Sequence, residues 1–67
     1  MIQIGKKLKE LRIAEHLTQQ QLAEILNISR VNYTRYETDT SRPDFETLIA
    51  IADFYKIPLD EIFGRDI

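Results

Sequence analysis

Apolar residues recur along this chain at three- and four-residue intervals almost throughout, and nowhere do they alternate as paired strands with a hairpin turn would require. Ile4, Leu8 and Leu11 follow the i, i+4, i+7 spacing of one helix face and predict a first helix over about residues 4–15, with Lys6, Lys7, Lys9 and Glu10 off the stripe. Thr18-Gln19-Gln20-Gln21 has the form of a capping box, a hydroxyl residue with Gln three positions on. It predicts a second helix over about 18–26 that turns Leu22, Ala23 and Leu26 inward. Asn27 follows, a residue that tolerates the left-handed backbone at helix ends. Ile28 reads as a buried plug, and Ser29 as the N-cap of a third helix over about 29–37. Thr38 to Pro43 is a polar link. Asp44 caps a fourth helix over about 44–55, whose inner stripe is Phe45, Leu48, Ile51, Ala52 and Tyr55. Pro58 suits the start of a short fifth helix over about 59–63, where a missing N–H costs little. The expected fold is all-α, a single domain over 1–67 with five helices and short connections.

Only Asn27, Ile28 and Ser29 separate the second and third helices, a link of the length that makes a helix-turn-helix. In that motif the second of the two helices enters the major groove of DNA. Stepping about 100° per residue from Arg30 places Thr34 near 40°, Val31 near 100° and Arg35 near 140°. Tyr36 falls near 240°, Ser29 near 260° and Tyr33 near 300°. The aromatics share one side and read as core. Arg30, Val31, Thr34 and Arg35 share the other, with Asn32 at its border. Arginine reads guanine O6 and N7 with two hydrogen bonds, and methyl groups meet the thymine methyl. Gln19, at the amino end of the second helix, sits where side chain and backbone N–H groups can hold a phosphate together, and Arg42 in the link is a second phosphate candidate.

Composition narrows the alternatives. The chain has 67 residues, a length at which one core leaves little stability margin. There is no cysteine, so disulfides and thiolate metal sites are excluded, and a lone histidine, His16, builds no metal site. Regular helix packing, self-association or both must supply the stability. Ile2, Ile49, Phe54 and Ile67 lie off the inner stripes and, with Ile62 of the fifth helix, suggest the two-fold interface of a homodimer. No apolar run approaches the roughly 20 residues of a membrane span, and the first residues lack the apolar centre of a signal peptide, so a cytoplasmic protein is expected. The net charge of −2 argues at first against a nucleic-acid partner. Its distribution does not, because residues 1–43 hold seven Lys/Arg against five Asp/Glu, and residues 44–67 two against six. Asp60 and Glu61 suit a helix amino end better than acid–base chemistry. With no nucleophile–base pair, ligand set or glycine-rich phosphate loop, neither an enzyme nor a cofactor is expected.

The segments "LKELRIAEHLTQQQLAEILNISRVNYTRYE" and "RPDFETLIAIADFYKIPLDEIF" resemble the phage repressor and Cro family, also called the XRE family, over about residues 4–63. The most specific parts are Leu17-Thr18-Gln19, Leu22-Ala23, Ile28-Ser29, Tyr36-Glu37 and Leu59-Asp60-Glu61-Ile62-Phe63. The resemblance implies a compact, lambda-repressor-like five-helix domain and sequence-specific binding to duplex DNA on an inverted repeat, as a dimeric repressor or related regulator. It implies Ser29, Arg30, Val31, Thr34 and Arg35 as base-contacting residues, and Gln19 as a phosphate contact, with Thr18, Thr38 and Arg42 beside it. It also implies an ion pair of Arg12 with Glu37 that ties the first helix to the end of the third. Thr38-Asp39 stand where the family often has Asn-Gly, Asn27 where it has glycine, and Tyr33 where it has a small aliphatic residue. The DNA-binding antitoxin of a toxin–antitoxin pair, or a protein-interaction module that has lost DNA binding, are the alternative functions.

Overall fold

The computed structural model describes residues 3–63, which contain five helices and no strand. They are α1 (Gly5–Ala14), α2 (Gln19–Leu26), α3 (Arg30–Glu37), α4 (Phe45–Tyr55) and α5 (Leu59–Ile62). Each of the first four begins one residue later than its apolar pattern suggests, and for α2, α3 and α4 the reason is that the capping residue itself is not helical. Thr18, Ser29 and Asp44 have extended backbones. Their side-chain oxygens accept from the free N–H groups of Gln21 (3.0 Å), Asn32 (3.1 Å) and Thr47 (2.8 Å). Gln21 returns its carbonyl oxygen to the Thr18 N–H at 2.9 Å, which completes the capping box. Pro58 stands one place before α5, as its cap.

The ends are as regular as the starts. His16, Asn27, Asp39 and Lys56 follow α1 to α4 in turn, all left-handed, with φ of 58°, 59°, 61° and 57°. After each of them the chain closes the same way. Leu17, Ile28, Thr40 and Ile57 donate their N–H groups five residues back, to Arg12, Ala23, Arg35 and Ala52. His16, Asn27, Asp39 and Lys56 donate three residues back. This is the Schellman closure, made four times without glycine.

α1 has no cap of its own. Asp39, from the turn after α3, accepts the N–H groups of Ile4 and Gly5 at 3.1 and 3.0 Å. The acid at this position therefore works inside the fold.

Two clusters make the core. Ile4, Leu8, Ile51, Ala52 and Ile62 form one, and Leu22, Ala23 and Tyr33 the other. Leu26, Tyr36 and Tyr55 pack against both and join them. Tyr33 fills the place of a smaller aliphatic residue and is completely buried. Phe45 departs from its expected inner position: it is 68% exposed. With Phe45 at zero, Leu48, Ile51, Ala52 and Tyr55 fall between about 240° and 340°. That leaves Phe45 at the rim of the stripe, in the first turn, beyond the reach of the core.

Candidate nucleic-acid interface

α2 and α3 are joined by Asn27, Ile28 and Ser29, and three local devices set the angle between them. Asn27 takes the left-handed turn, Ile28 packs into the Leu22–Tyr33 cluster, and Ser29 caps α3. Tyr33 anchors the inner face of α3, with Tyr36 edge-on to it at 6.4 Å between ring centroids. Ser29, Arg30, Val31, Asn32 and Arg35 are exposed, and Thr34 is half-buried.

Beneath that surface lies one polar network. The Arg12 and Glu37 side chains retain only 12% and 4% of their accessible surface. Arg12 Nε donates to Glu37 Oε2 at 2.6 Å, and Nη2 to Oε1 at 3.2 Å, the two-pronged geometry of a strong ion pair. The third guanidinium nitrogen, Nη1, reaches the carbonyl of Leu17 at 2.8 Å and pins the α1–α2 link. Glu37 also accepts from the Tyr33 hydroxyl at 2.5 Å and from Gln19 Nε2 at 3.0 Å. Gln19 Oε1 in turn accepts from the Thr34 hydroxyl at 3.1 Å. Burial alone would raise the Glu37 pKa, but the hydrogen bonds from Arg12, Tyr33 and Gln19 outweigh it and hold the carboxyl below its ordinary value. The bond to Glu37 raises the Arg12 pKa against the opposing effect of burial. Burial, then the bond to Glu37, lifts the Tyr33 hydroxyl far above its usual range. α1, α2, the link between them and α3 thus converge on one carboxylate.

The remaining positions separate by what they have free. Thr18 and Gln19 stand at the amino end of α2, where the Thr18 oxygen is engaged as the cap and the Gln19 amide keeps one N–H. Arg42 is exposed beside a groove of about 320 Å³ that Ile4, Asp39, Pro43, Leu48 and Phe63 also line. Thr38 directs its single hydroxyl hydrogen at the Arg35 carbonyl (3.3 Å) and shares a 2.8 Å contact with the Thr40 hydroxyl. While those bonds stand it has no hydrogen for a phosphate.

The expected two-fold surface is corrected in part. Ile62 is fully buried in the first cluster, since the register of α5 points it at Ile51 and Leu8. Phe54 is half-buried against the second cluster and edge-on to Tyr55 at 4.9 Å. Ile49 is 37% exposed. Ile2 and Ile67 lie outside the described residues. The apolar pair that α4 does show is Phe45 with Ile49, one turn apart.

Two roles were missed by the sequence reading. One is Asp39 as the cap of α1, for which the sequence carries no local signal. The other is Gly5, whose isolation in a helical pattern was a legible sign of close packing. Among the described residues no cluster of His, Cys, Asp or Glu can hold a metal.

A short left-handed turn, a helix with an anchored inner side and a cationic outer side, and a buried carboxylate fastening both helices define a helix-turn-helix domain. Residues 8–62 match the helix-turn-helix family, and the chain belongs to it, in its phage-repressor and Cro branch. It is 40% identical over 63 residues to the HTH-type transcriptional regulator ImmR of Bacillus subtilis, covering 94% of this chain and 50% of that one. To the cryptic phage CTXphi transcriptional repressor RstR of Vibrio cholerae it is 38% identical over 64 residues, 96% of this chain and 57% of that one. To the antitoxin PezA of Streptococcus pneumoniae it is 38% identical over 63 residues, 94% of this chain and 40% of that one. The chain therefore spans about half the length of such relatives. No solved structure gives a significant match. No helix among the described residues is long and apolar enough to cross a membrane.

Proposed function

We propose that this chain regulates transcription in the cytoplasm by sequence-specific binding to duplex DNA, with α3 in the major groove. The observation that carries the reading is the two-sidedness of α3: Tyr33 is completely buried while Arg30, Val31 and Arg35 stand exposed on the other side. Arg30 and Arg35 are the guanine readers, Val31 the thymine-methyl contact, and Ser29 and Thr34 supply further base-edge contacts. Gln19 and Thr18, with Arg42 from the α3–α4 link, set the register on the phosphates, and Thr38, whose hydroxyl hydrogen is engaged within the fold, does not join them. The similarity to a phage repressor supports the repressor role.

The regulator acts as a homodimer on an inverted repeat. The exposed pair Phe45 and Ile49 supports this reading, since it gives α4 an apolar strip that a second copy would cover. Two recognition helices would then meet half-sites about 34–36 Å apart.

Selection from random duplex DNA at two salt concentrations tests both points. Enrichment of an inverted repeat with guanines in each half, weakened by salt and abolished by Arg35→Glu, supports the reading. Absence of any salt-sensitive binding refutes it. A monomer by light scattering at high concentration, with a single half-site in the selected pool, removes the dimer.

The similarity to PezA favours one variation, an antitoxin that binds DNA through this same domain. Stable co-purification with the product of a neighbouring reading frame distinguishes it.

A further inference from the structure

We propose that the buried Glu37 carboxylate sets, through Gln19, what Thr34 can read in the major groove, making Thr34 a hydrogen-bond acceptor that selects adenine or cytosine. The inference rests on the DNA-binding reading above and deepens it.

The chain of bonds has one possible direction. Glu37 is held ionised, so it has no hydrogen to donate and can only accept. The Gln19 atom 3.0 Å from Glu37 Oε1 must therefore be the amide nitrogen. That fixes the flip of the Gln19 side chain and presents its carbonyl oxygen to Thr34. A threonine hydroxyl has one hydrogen, and Thr34 gives it to Gln19 Oε1 at 3.1 Å. What remains on Thr34 is a pair of acceptor sites and a methyl group.

Those remnants lie on the side of α3 that carries Arg30, Val31 and Arg35. Adenine N6 and cytosine N4 are the major-groove donors that an acceptor can meet, while guanine O6 and N7 are themselves acceptors. Turning the hydroxyl toward guanine would leave the Gln19 carbonyl without its donor in a half-buried place. Arg30 and Arg35, which carry only donors, favour guanine. The two kinds of position on α3 therefore have opposite preferences. Glu37 and Gln19 act as positioning residues for this choice, and neither needs to touch the base.

Comparative selection from random duplex DNA tests the proposal, using wild type, Thr34→Ser, Thr34→Val and Gln19→Leu, each first checked for folding by circular dichroism and thermal melting. Thr34→Val identifies the base position that Thr34 reads. At that position wild type should prefer adenine or cytosine over guanine by about tenfold. Thr34→Ser should keep the preference, since it keeps the hydroxyl. Gln19→Leu should relax the preference at that position alone, because it frees the hydroxyl hydrogen, alongside a uniform loss from the missing phosphate contact.

Guanine favoured at the Thr34 position overturns the proposal. So does a Gln19→Leu pool whose base preferences match wild type, or a Thr34→Val pool unchanged at every position. If Gln19→Leu does not fold, the Ser and Val variants still decide whether the acceptor matters. A wild-type pool with no enriched sequence refutes the DNA-binding reading itself, whereas a normal wild-type pool with an unmoved Thr34 position refutes this inference alone.

Discussion

Gly5 rests against the backbone of Glu37 so closely that a Cβ placed on it would lie 2.1 Å from the Glu37 carbonyl oxygen. No side chain fits there, and the obstacle is backbone, which cannot swing aside. The same contact brings Gly5 N within 3.0 Å of Asp39. The start of α1 and the end of α3 thus meet backbone to backbone, with the Asp39 carboxylate bonding across the join. Gly5→Ala should force the two apart and cost about 1–3 kcal/mol, seen as a lower midpoint in thermal or urea unfolding. An unchanged midpoint would show that α1 can shift freely.

Stability should fall on acidification because of Glu37. Its folded pKa lies below the ordinary 4.5, so its contribution is fully present above that value and is lost as the pH drops through the folded pKa. Urea unfolding from about pH 7 to about pH 3 should show the loss in wild type and a flatter profile in Glu37→Gln. At neutral pH, Glu37→Gln or Arg12→Met leaves a buried charge unpaired and should cost about 3–5 kcal/mol. A Glu37→Gln protein with the wild-type acid profile would assign the pH dependence to other carboxylates.

The four left-handed residues that close α1 to α4 carry strain that glycine would relieve. His16 is exposed and left-handed at φ 58°. His16→Gly should raise the melting temperature, through a stability gain of about 0.5–1 kcal/mol net of the freedom glycine gains in the unfolded chain. Asn27→Gly should gain less, because asparagine tolerates this backbone. Equal gains at both positions would show that strain does not depend on side-chain type here.

Tyr55 buries its hydroxyl without a hydrogen-bond partner among the described residues. Burial is also the main reason its pKa is pushed up to about 12. Tyr55→Phe removes an unsatisfied polar atom and keeps the ring that joins the two core clusters. It should leave stability unchanged or raise it by up to about 1 kcal/mol. A loss of more than about 1 kcal/mol in calorimetry would reveal a partner for the hydroxyl.

The helices, their caps and the two-sided α3 were legible because each depends on residues within one or two turns. Thr18 with Gln21, Ser29 with Asn32, and Asp44 with Thr47 are contacts three residues apart, visible in the chain as spacings. Family resemblance added the pairing of Arg12 with Glu37, twenty-five residues apart, which no local pattern carries. Phe45 and Ile62 show where periodicity fails. A stripe says which residues share a face but not how far a neighbouring element reaches along it, so the first turn of α4 was assigned to the core and buried Ile62 to the surface.

By itself the sequence determined the class of fold, the turn between α2 and α3, and the set of side chains that α3 turns outward. Backbone propensities, capping and helical period act over short distances, and one strand of text contains them all. Only the tertiary structure decided that Asp39 caps α1, that Gly5 touches Glu37, and that Thr34 gives its hydrogen to Gln19. These are contacts between atoms brought together by packing two separate clusters, and their direction follows from counting donors and acceptors around a buried carboxylate.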